Sequence, residues 1–166
     1  TFSSRQELTR DSRGMAMEKI KILFVEDDKN LRRIFDMGLS DSAFEKYFAE
    51  DGTKALELYT AWRPEIIVLD IMLPEMSGYT VLKTIREEKD DKATMIIMAT
   101  SLSDRSTVVD CLKLGIQGYL VKPFTHKEIL EKIIEHLRKV APERAASLEA
   151  ELKTAHQEAP APEKPV

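Results

Sequence analysis

Four short apolar runs, Ile20 to Val25, Ile66 to Leu69, Met95 to Ala99 and Tyr119 to Val121, constrain this 166-residue chain more than any other feature. Apart from Lys21 they are apolar at consecutive positions instead of alternate ones. A strand with that pattern needs cover on both faces, the environment of a parallel sheet between two layers of helices. Lys46 to Ala49 is a weaker fifth strand, where a second one belongs.

The intervening stretches carry helical spacing: Asn30 to Leu39, Thr53 to Trp62, Ser77 to Glu88, Arg105 to Leu114 and Lys127 to Val140. Asp51, Ser77 and Asp104 are suited to cap helix starts, and Thr125 with Glu128 forms a capping box. Pro64 and Gly115 punctuate helix ends. In the last helix Ile129, Leu130, Ile133, Ile134 and Leu137 share one face, which must pack on the sheet. This alternation predicts an α/β fold, (βα)5, from about Lys19 to Val140, with a doubly wound five-stranded parallel sheet in a three-layer sandwich. Right-handed crossovers put the ligand site beyond the carboxyl ends of the strands.

Three segments are expected: 1–17 as a flexible extension, native or left over from expression; 18–141 as the folded domain; and 142–166 as a tail. Pro142 interrupts the helical pattern. From Glu143 to His156 only Leu148, Leu152 and Ala155 recur at helical spacing, which predicts a short solvated helix; a dimerising coiled coil would need more heptads. Ala159 to Val166 is Pro-rich and reads as disordered.

The formal charge is −4, from 29 acidic and 25 basic residues spread along the chain, so no basic stripe invites direct DNA binding. No apolar run approaches the roughly 18 residues that cross a bilayer, and a cytoplasmic protein with no membrane contact is expected. The lone Cys111 has no internal disulfide partner and reads as a small buried hydrophobe. His126, His136 and His156 lack ligand spacing to one another and read as surface residues. Trp62 reads as helix-end packing.

At the predicted carboxyl ends stand Glu26, Asp27 and Asp28, then Asp70, Thr100 and Lys122. Carboxylates gathered in one pocket stay ionised only if a cation neutralises them. Oxygen donors without His or Cys favour Mg2+, with Mn2+ as the alternative, over zinc. An Asp carboxylate in such a site can attack phosphorus once positive charge offsets the phosphoryl oxygens. Lys122 brings an ammonium and Thr100 a hydroxyl. Asp70 follows Ile66-Ile67-Val68-Leu69 with no local partner, so its charge is not explained by packing.

These residues also carry a resemblance. The segment from Ile20 to about Val140 is similar to the receiver domain of two-component response regulators. Glu26 and Asp27 resemble its acidic pair, with Asp28 just after. Val68 to Gly78 resembles its phosphoacceptor segment, Met98-Ala99-Thr100-Ser101 its switch threonine, and Tyr119 to Phe124 its closing segment. The resemblance implies a flavodoxin-like fold and a phosphoryl group received on Asp70 from a histidine kinase or phosphotransfer protein. It implies Mg2+ on Asp27, Asp70 and the Met72 backbone carbonyl, with Glu26 acting through water. Thr100 and Lys122 would contact phosphoryl oxygens, Lys122-Pro123 would be a cis peptide, and Tyr119 would be either a rotating switch aromatic or an ordinary strand residue. The output face would be the fourth helix, fifth strand and fifth helix. No enzyme in the turnover sense is implied, since the protein would catalyse only its own phosphorylation and dephosphorylation.

Two departures shape the expected output. Gln117-Gly118 stands where receivers joined to winged-helix DNA-binding domains usually carry acidic residues, which argues against their salt-bridged dimer. A stand-alone, chemotaxis-regulator-like receiver is expected instead, a monomer or weak homodimer acting on a downstream protein target. Met72 and Leu102, two residues past Asp70 and Thr100, are apolar and should hinder the water that removes a phosphoryl group. A haloacid-dehalogenase-type phosphohydrolase is the rival reading, weakened because it needs an acid at position 72. A scaffold that binds without phosphorylation is another, weakened by the intact acidic pair, Asp70, Thr100 and Lys122.

Overall fold

The computed structural model describes residues 8–10, 16–101 and 105–157. Five parallel strands form the central sheet: β1 (Ile20–Val25), β2 (Phe44–Ala49), β3 (Ile66–Asp70), β4 (Met95–Thr100) and β5 (Gly118–Val121). Their order is β2-β1-β3-β4-β5, so the winding reverses direction between β1 and β3. This is the flavodoxin-like order, and such folds bind ligands in the crevice at the reversal.

The consecutive apolar positions divide by parity. Ile20, Ile22, Phe24, Ile66, Val68, Met95 and Ile97 join one core layer with Phe35 of α1 (Lys29–Gly38), Leu39 just after it, and Ile129, Ile133 and Leu137 of α5 (His126–Val140). Leu23, Val25, Ile67, Leu69, Ile96 and Met98 face the other layer. There they meet Ala55 and Tyr59 of α2 (Gly52–Trp62), Val81 and Leu82 of α3 (Gly78–Lys83), and Cys111 of α4 (Arg105–Leu114). Burying both faces of β1, β3 and β4 is what their unalternated runs require. The capping box at Thr125 and Glu128 is formed, and Asp51 and Ser77 cap α2 and α3. Asp104 and Leu102 lie outside the described residues.

Four features depart from the sequence reading. β2 starts two residues earlier than expected, at Phe44, because Phe44 is buried in the core although Lys46 and Tyr47 dilute the pattern. The helix expected over Ser77 to Glu88 is α-helical only to Lys83 and continues as a π-helical turn from Thr84 to Glu88. In the region taken as a flexible extension, Leu8–Arg10 pairs as an antiparallel ribbon with Ala16–Glu18, which runs one residue into the expected domain. Neither run shows apolar alternation, so nothing in the sequence announces it. Most important, the tail from Pro142 is not a solvated appendage. Pro142 opens α6 (Pro142–Gln157), the helix position where its missing N–H costs nothing. Ala145 and Leu148 of α6 are buried in the α1/α5 core layer.

Candidate functional site

Strand register assembles the site. Val25 pairs with Leu69 across β1 and β3, so Glu26 and Asp70 emerge side by side at the reversal point. Asp70 pairs with Ala99, and Thr100 with Val121, which brings Thr100 and Lys122 to the same edge. Gly78 makes the fit possible: a Cβ there would lie 2.0 Å from the Asp70 carbonyl oxygen, so only glycine lets the loop pack this close to β3.

Glu26 and Asp70 are 4% and 3% exposed, a depth at which carboxylates need partners. The Lys122 ammonium supplies one to both, donating to Glu26 Oε2 at 2.8 Å and Asp70 Oδ2 at 2.7 Å. Asp27 is exposed at the rim, and carboxylate oxygens of Glu26, Asp27 and Asp70 lie within 4.8 Å of one another. An all-oxygen cluster of this kind suits a hard divalent cation. The Met72 N–H donates to Asp70 Oδ1 at 2.9 Å. Thr100 is buried, and its hydroxyl donates to the Ser101 carbonyl at 3.0 Å. The Lys122-Pro123 peptide is cis.

Burial pushes the Glu26 carboxyl above its usual range; hydrogen bonds from Lys122 and the Asp28 amide pull it down, the Asp70 charge pushes it up, and the net shift is upward. For Lys122, burial acts downward, yet its bonds to Asp70 and Glu26 prevail and hold the ammonium above its usual value. One cation shared by two buried carboxylates leaves the pocket net negative.

Other sequence candidates fall elsewhere. Asp28 turns away from the pocket and caps α1, accepting from the Asn30 and Leu31 amides at 2.7 and 3.3 Å. Tyr119 points outward from β5 and is 46% exposed. Trp62 ends α2, stacked on Tyr47 with centroids 4.1 Å apart. His126 is exposed, while His136 is half-buried, and burial followed by the nearby Lys139 lowers its pKa. Arg32, which no motif singled out, donates from Nη1 to the carbonyls of Glu26 and Asp27 at 2.6 and 2.9 Å.

A flavodoxin-like sandwich with three carboxylates and a lysine at its winding reversal defines a narrow class of proteins. The chain matches the response regulator receiver domain over residues 22–134 and belongs to that family. It is 40% identical over 124 residues to "Probable transcriptional regulator ycf27" of Porphyridium aerugineum, covering 75% of this chain and 50% of that protein. It is 34% identical over 128 residues to "Response regulator MprA" of Mycobacterium bovis, covering 76% and 54%. The chain thus spans about half the length of these curated relatives. Among solved structures, the chemotaxis response regulator CheY4 of Vibrio cholerae aligns with a TM-score of 0.61 at 30% identity, over 74% of this chain and 98% of that one. A CheY-like receiver domain from Methanospirillum hungatei aligns at 0.68 and 25% identity, over 76% and 99%. Among the described residues no helix is long and apolar enough to cross a membrane.

Proposed function

We propose that Asp70 is the phosphoacceptor of this receiver, charged by a histidine kinase or phosphotransfer protein in a Mg2+-dependent reaction. The observation that carries the reading is a buried Asp70 held 2.7 Å from the Lys122 ammonium, with Glu26 and Asp27 oxygens within 4.8 Å. An Asp70 oxygen attacks phosphorus, the P–N bond to the donor imidazole breaks, and the imidazole leaves with the bond electrons. Lys122 and the Thr100 hydroxyl meet the oxygens of the transferred group, offsetting charge where it accumulates. Asp27, Asp70 and the Met72 carbonyl would hold Mg2+ (Mn2+ could substitute), with Glu26 one water away. When bound, the ion supplies further neutralisation of the phosphoryl oxygens.

The product is a modified protein, not a released one, so the chain acts once per phosphorylation and is no phosphohydrolase. Position 72 supports this, since Met72 has no acid to offer a leaving group. Output runs through α4, β5 and α5 to a protein partner. Val109 and Leu112 of α4 and Tyr119 of β5 are each about half exposed and give that face apolar contact area. Intermixed charge summing to −4 argues against a grip on DNA by these 166 residues themselves. We place the protein in the cytoplasm, which suits a chain whose single cysteine, Cys111, is buried and outside any disulfide, as a monomer or weak homodimer.

The test is labelling with acetyl phosphate and Mg2+, read by intact mass. One phosphoryl group should add to the wild-type protein, and none to Asp70→Asn or to wild type in EDTA. Labelling of Asp70→Asn at the wild-type rate would overturn the assignment.

A further inference from the structure

We infer that Arg32 is a positioning residue for the acidic pair, fixing the Glu26-Asp27 backbone so that the pocket can hold a divalent cation; this rests on the reading of the site proposed above. The first observation is geometric. A single guanidinium nitrogen, Nη1 of Arg32, takes the carbonyls of two successive residues, Glu26 at 2.6 Å and Asp27 at 2.9 Å. Charge-assisted bonds of that length are among the stronger available to a main chain. Carbonyls held on one side of the turn fix the rotation of the peptides between them, and with it the directions of the two side chains.

The second observation is electrostatic. Arg32 lies in the first turns of α1, which has no acidic residue in its first turn and begins with Lys29. Cations at a helix N-terminus oppose the helix dipole. An arginine at this position is therefore not explained by helix stability, whereas its bonds back to the acidic loop explain it. Asp28 completes the arrangement from the other side. Its carboxylate caps α1, while its amide donates to Glu26 Oε1 at 3.1 Å. The loop is thus tied to α1 at both ends, by Arg32 through carbonyls and by Asp28 through side chain and amide.

The consequence separates positioning from simple charge. Removing a positive charge beside an acidic pocket should, by Coulomb's law alone, tighten Mg2+ binding. Loss of a group that orients ligands should weaken it, by about tenfold at the low end of such effects. The variants are Arg32→Gln, Arg32→Ala and Arg32→Lys, with Arg33→Gln as a control that removes an equal charge from the neighbouring exposed position. Mg2+ affinity is measured by calorimetry on unphosphorylated protein, and exchange of the Asp28 amide is measured without Mg2+.

The expected result is a Kd raised about tenfold in Arg32→Gln and Arg32→Ala. Arg32→Lys, which retains a cationic donor, should recover most of the loss, and Arg33→Gln should leave Kd unchanged or slightly lower. The Asp28 amide should exchange faster in Arg32→Gln with no metal present. At saturating Mg2+ the acetyl phosphate labelling rate of Arg32→Gln should return towards that of the wild type. Should Arg32→Ala not fold, Arg32→Gln and Arg32→Lys decide. Unchanged or tighter Mg2+ binding in Arg32→Gln overturns the inference, as does equal weakening in Arg33→Gln. Failure of the wild type to label on Asp70 would instead strike the proposed function.

Discussion

Met72 is 69% exposed, two residues after an aspartate that is 3% exposed, and its amide donates to Asp70 Oδ1 at 2.9 Å. An apolar side chain this near Asp70 in sequence offers no hydrogen bond to a water that would attack a phosphoryl group there. A polar replacement should admit and hold that water, so Met72→Asn is expected to shorten the phosphoryl lifetime about tenfold, equivalent to roughly 1.4 kcal/mol in barrier. Phosphate release after removal of the donor measures it, and an unchanged lifetime refutes it. Gly78 allows a second prediction. Its missing Cβ is the space taken by the Asp70 carbonyl, so Gly78→Ala should cost about 3 kcal/mol or more and abolish labelling, because backbone has to move beneath the acceptor. Urea unfolding and intact mass test it, and a variant that labels normally would contradict it. At this scale the sequence pointed to Glu26, Asp27, Asp70, Thr100 and Lys122, since charged or hydroxyl groups at the ends of apolar runs have no packing explanation. It was silent on Arg32 and on the role of Gly78, because both act through backbone atoms, which leave no side-chain pattern.

The π-helical turn from Thr84 to Glu88 shows what periodicity does not report about an element. Arg86 is buried there and donates to the carbonyls of Gly115 at 2.8 Å, Asp91 at 2.6 Å and Thr94 at 2.8 Å, and to Gln117 Oε1 at 3.1 Å. Gln117 Oε1 also accepts from the Ile96 amide at 2.7 Å, so the side chain at this departure from the winged-helix pattern is tied to the fold. The partners of Arg86 lie from 5 to 31 residues away, so a local window around it misses Gly115 and Gln117. Asp91 anchors the same network, accepting from the Tyr59 and Thr94 hydroxyls, both at 2.6 Å, and from the Ala93 and Thr94 amides. Burial acts to raise its carboxyl, but these four donors outweigh it and hold it far below the usual 3.8. A depressed carboxylate adds stability that is full above its unfolded value and is lost as pH falls through its folded one. Asp91→Ala should therefore cost about 2–3 kcal/mol at pH 7, with the difference from wild type flat down to about pH 5 and shrinking below pH 4. Urea unfolding of both proteins at pH 7, 5 and 3.5 checks this, and a difference that grows on acidification would show the sign to be wrong.

At the scale of the molecule, the sheet and its two covering layers were legible because each element carries its own pattern, whereas the docking of α6 was not. Leu148, Leu152 and Ala155 give a thin stripe, too short for a coiled coil, and a stripe does not say what it faces. The structure supplies the partner: Ala145 and Leu148 enter the layer that contains Ile20, Phe44 and Leu137, residues spread over more than a hundred positions. Polar contacts fasten the same helix, with Arg144 donating to both Glu65 carboxylate oxygens at 2.6 and 3.3 Å and Arg138 of α5 pairing with Glu149 at 2.8 Å. Burial among fixed neighbours means that truncating Leu148 leaves a cavity, so Leu148→Ala should cost about 2–4 kcal/mol. Glu65 immediately precedes β3, placing α6 at the amino ends of the strands, and the carboxylate pocket lies at their carboxyl ends. The loss of stability should accordingly leave acetyl phosphate labelling of the folded protein within about twofold of wild type, as expected for sites too far apart to couple. Urea unfolding together with labelling at low temperature separates the two effects. Full stability in Leu148→Ala would return α6 to solvent, and a matching collapse of labelling would show that the amino end of the sheet controls its carboxyl end.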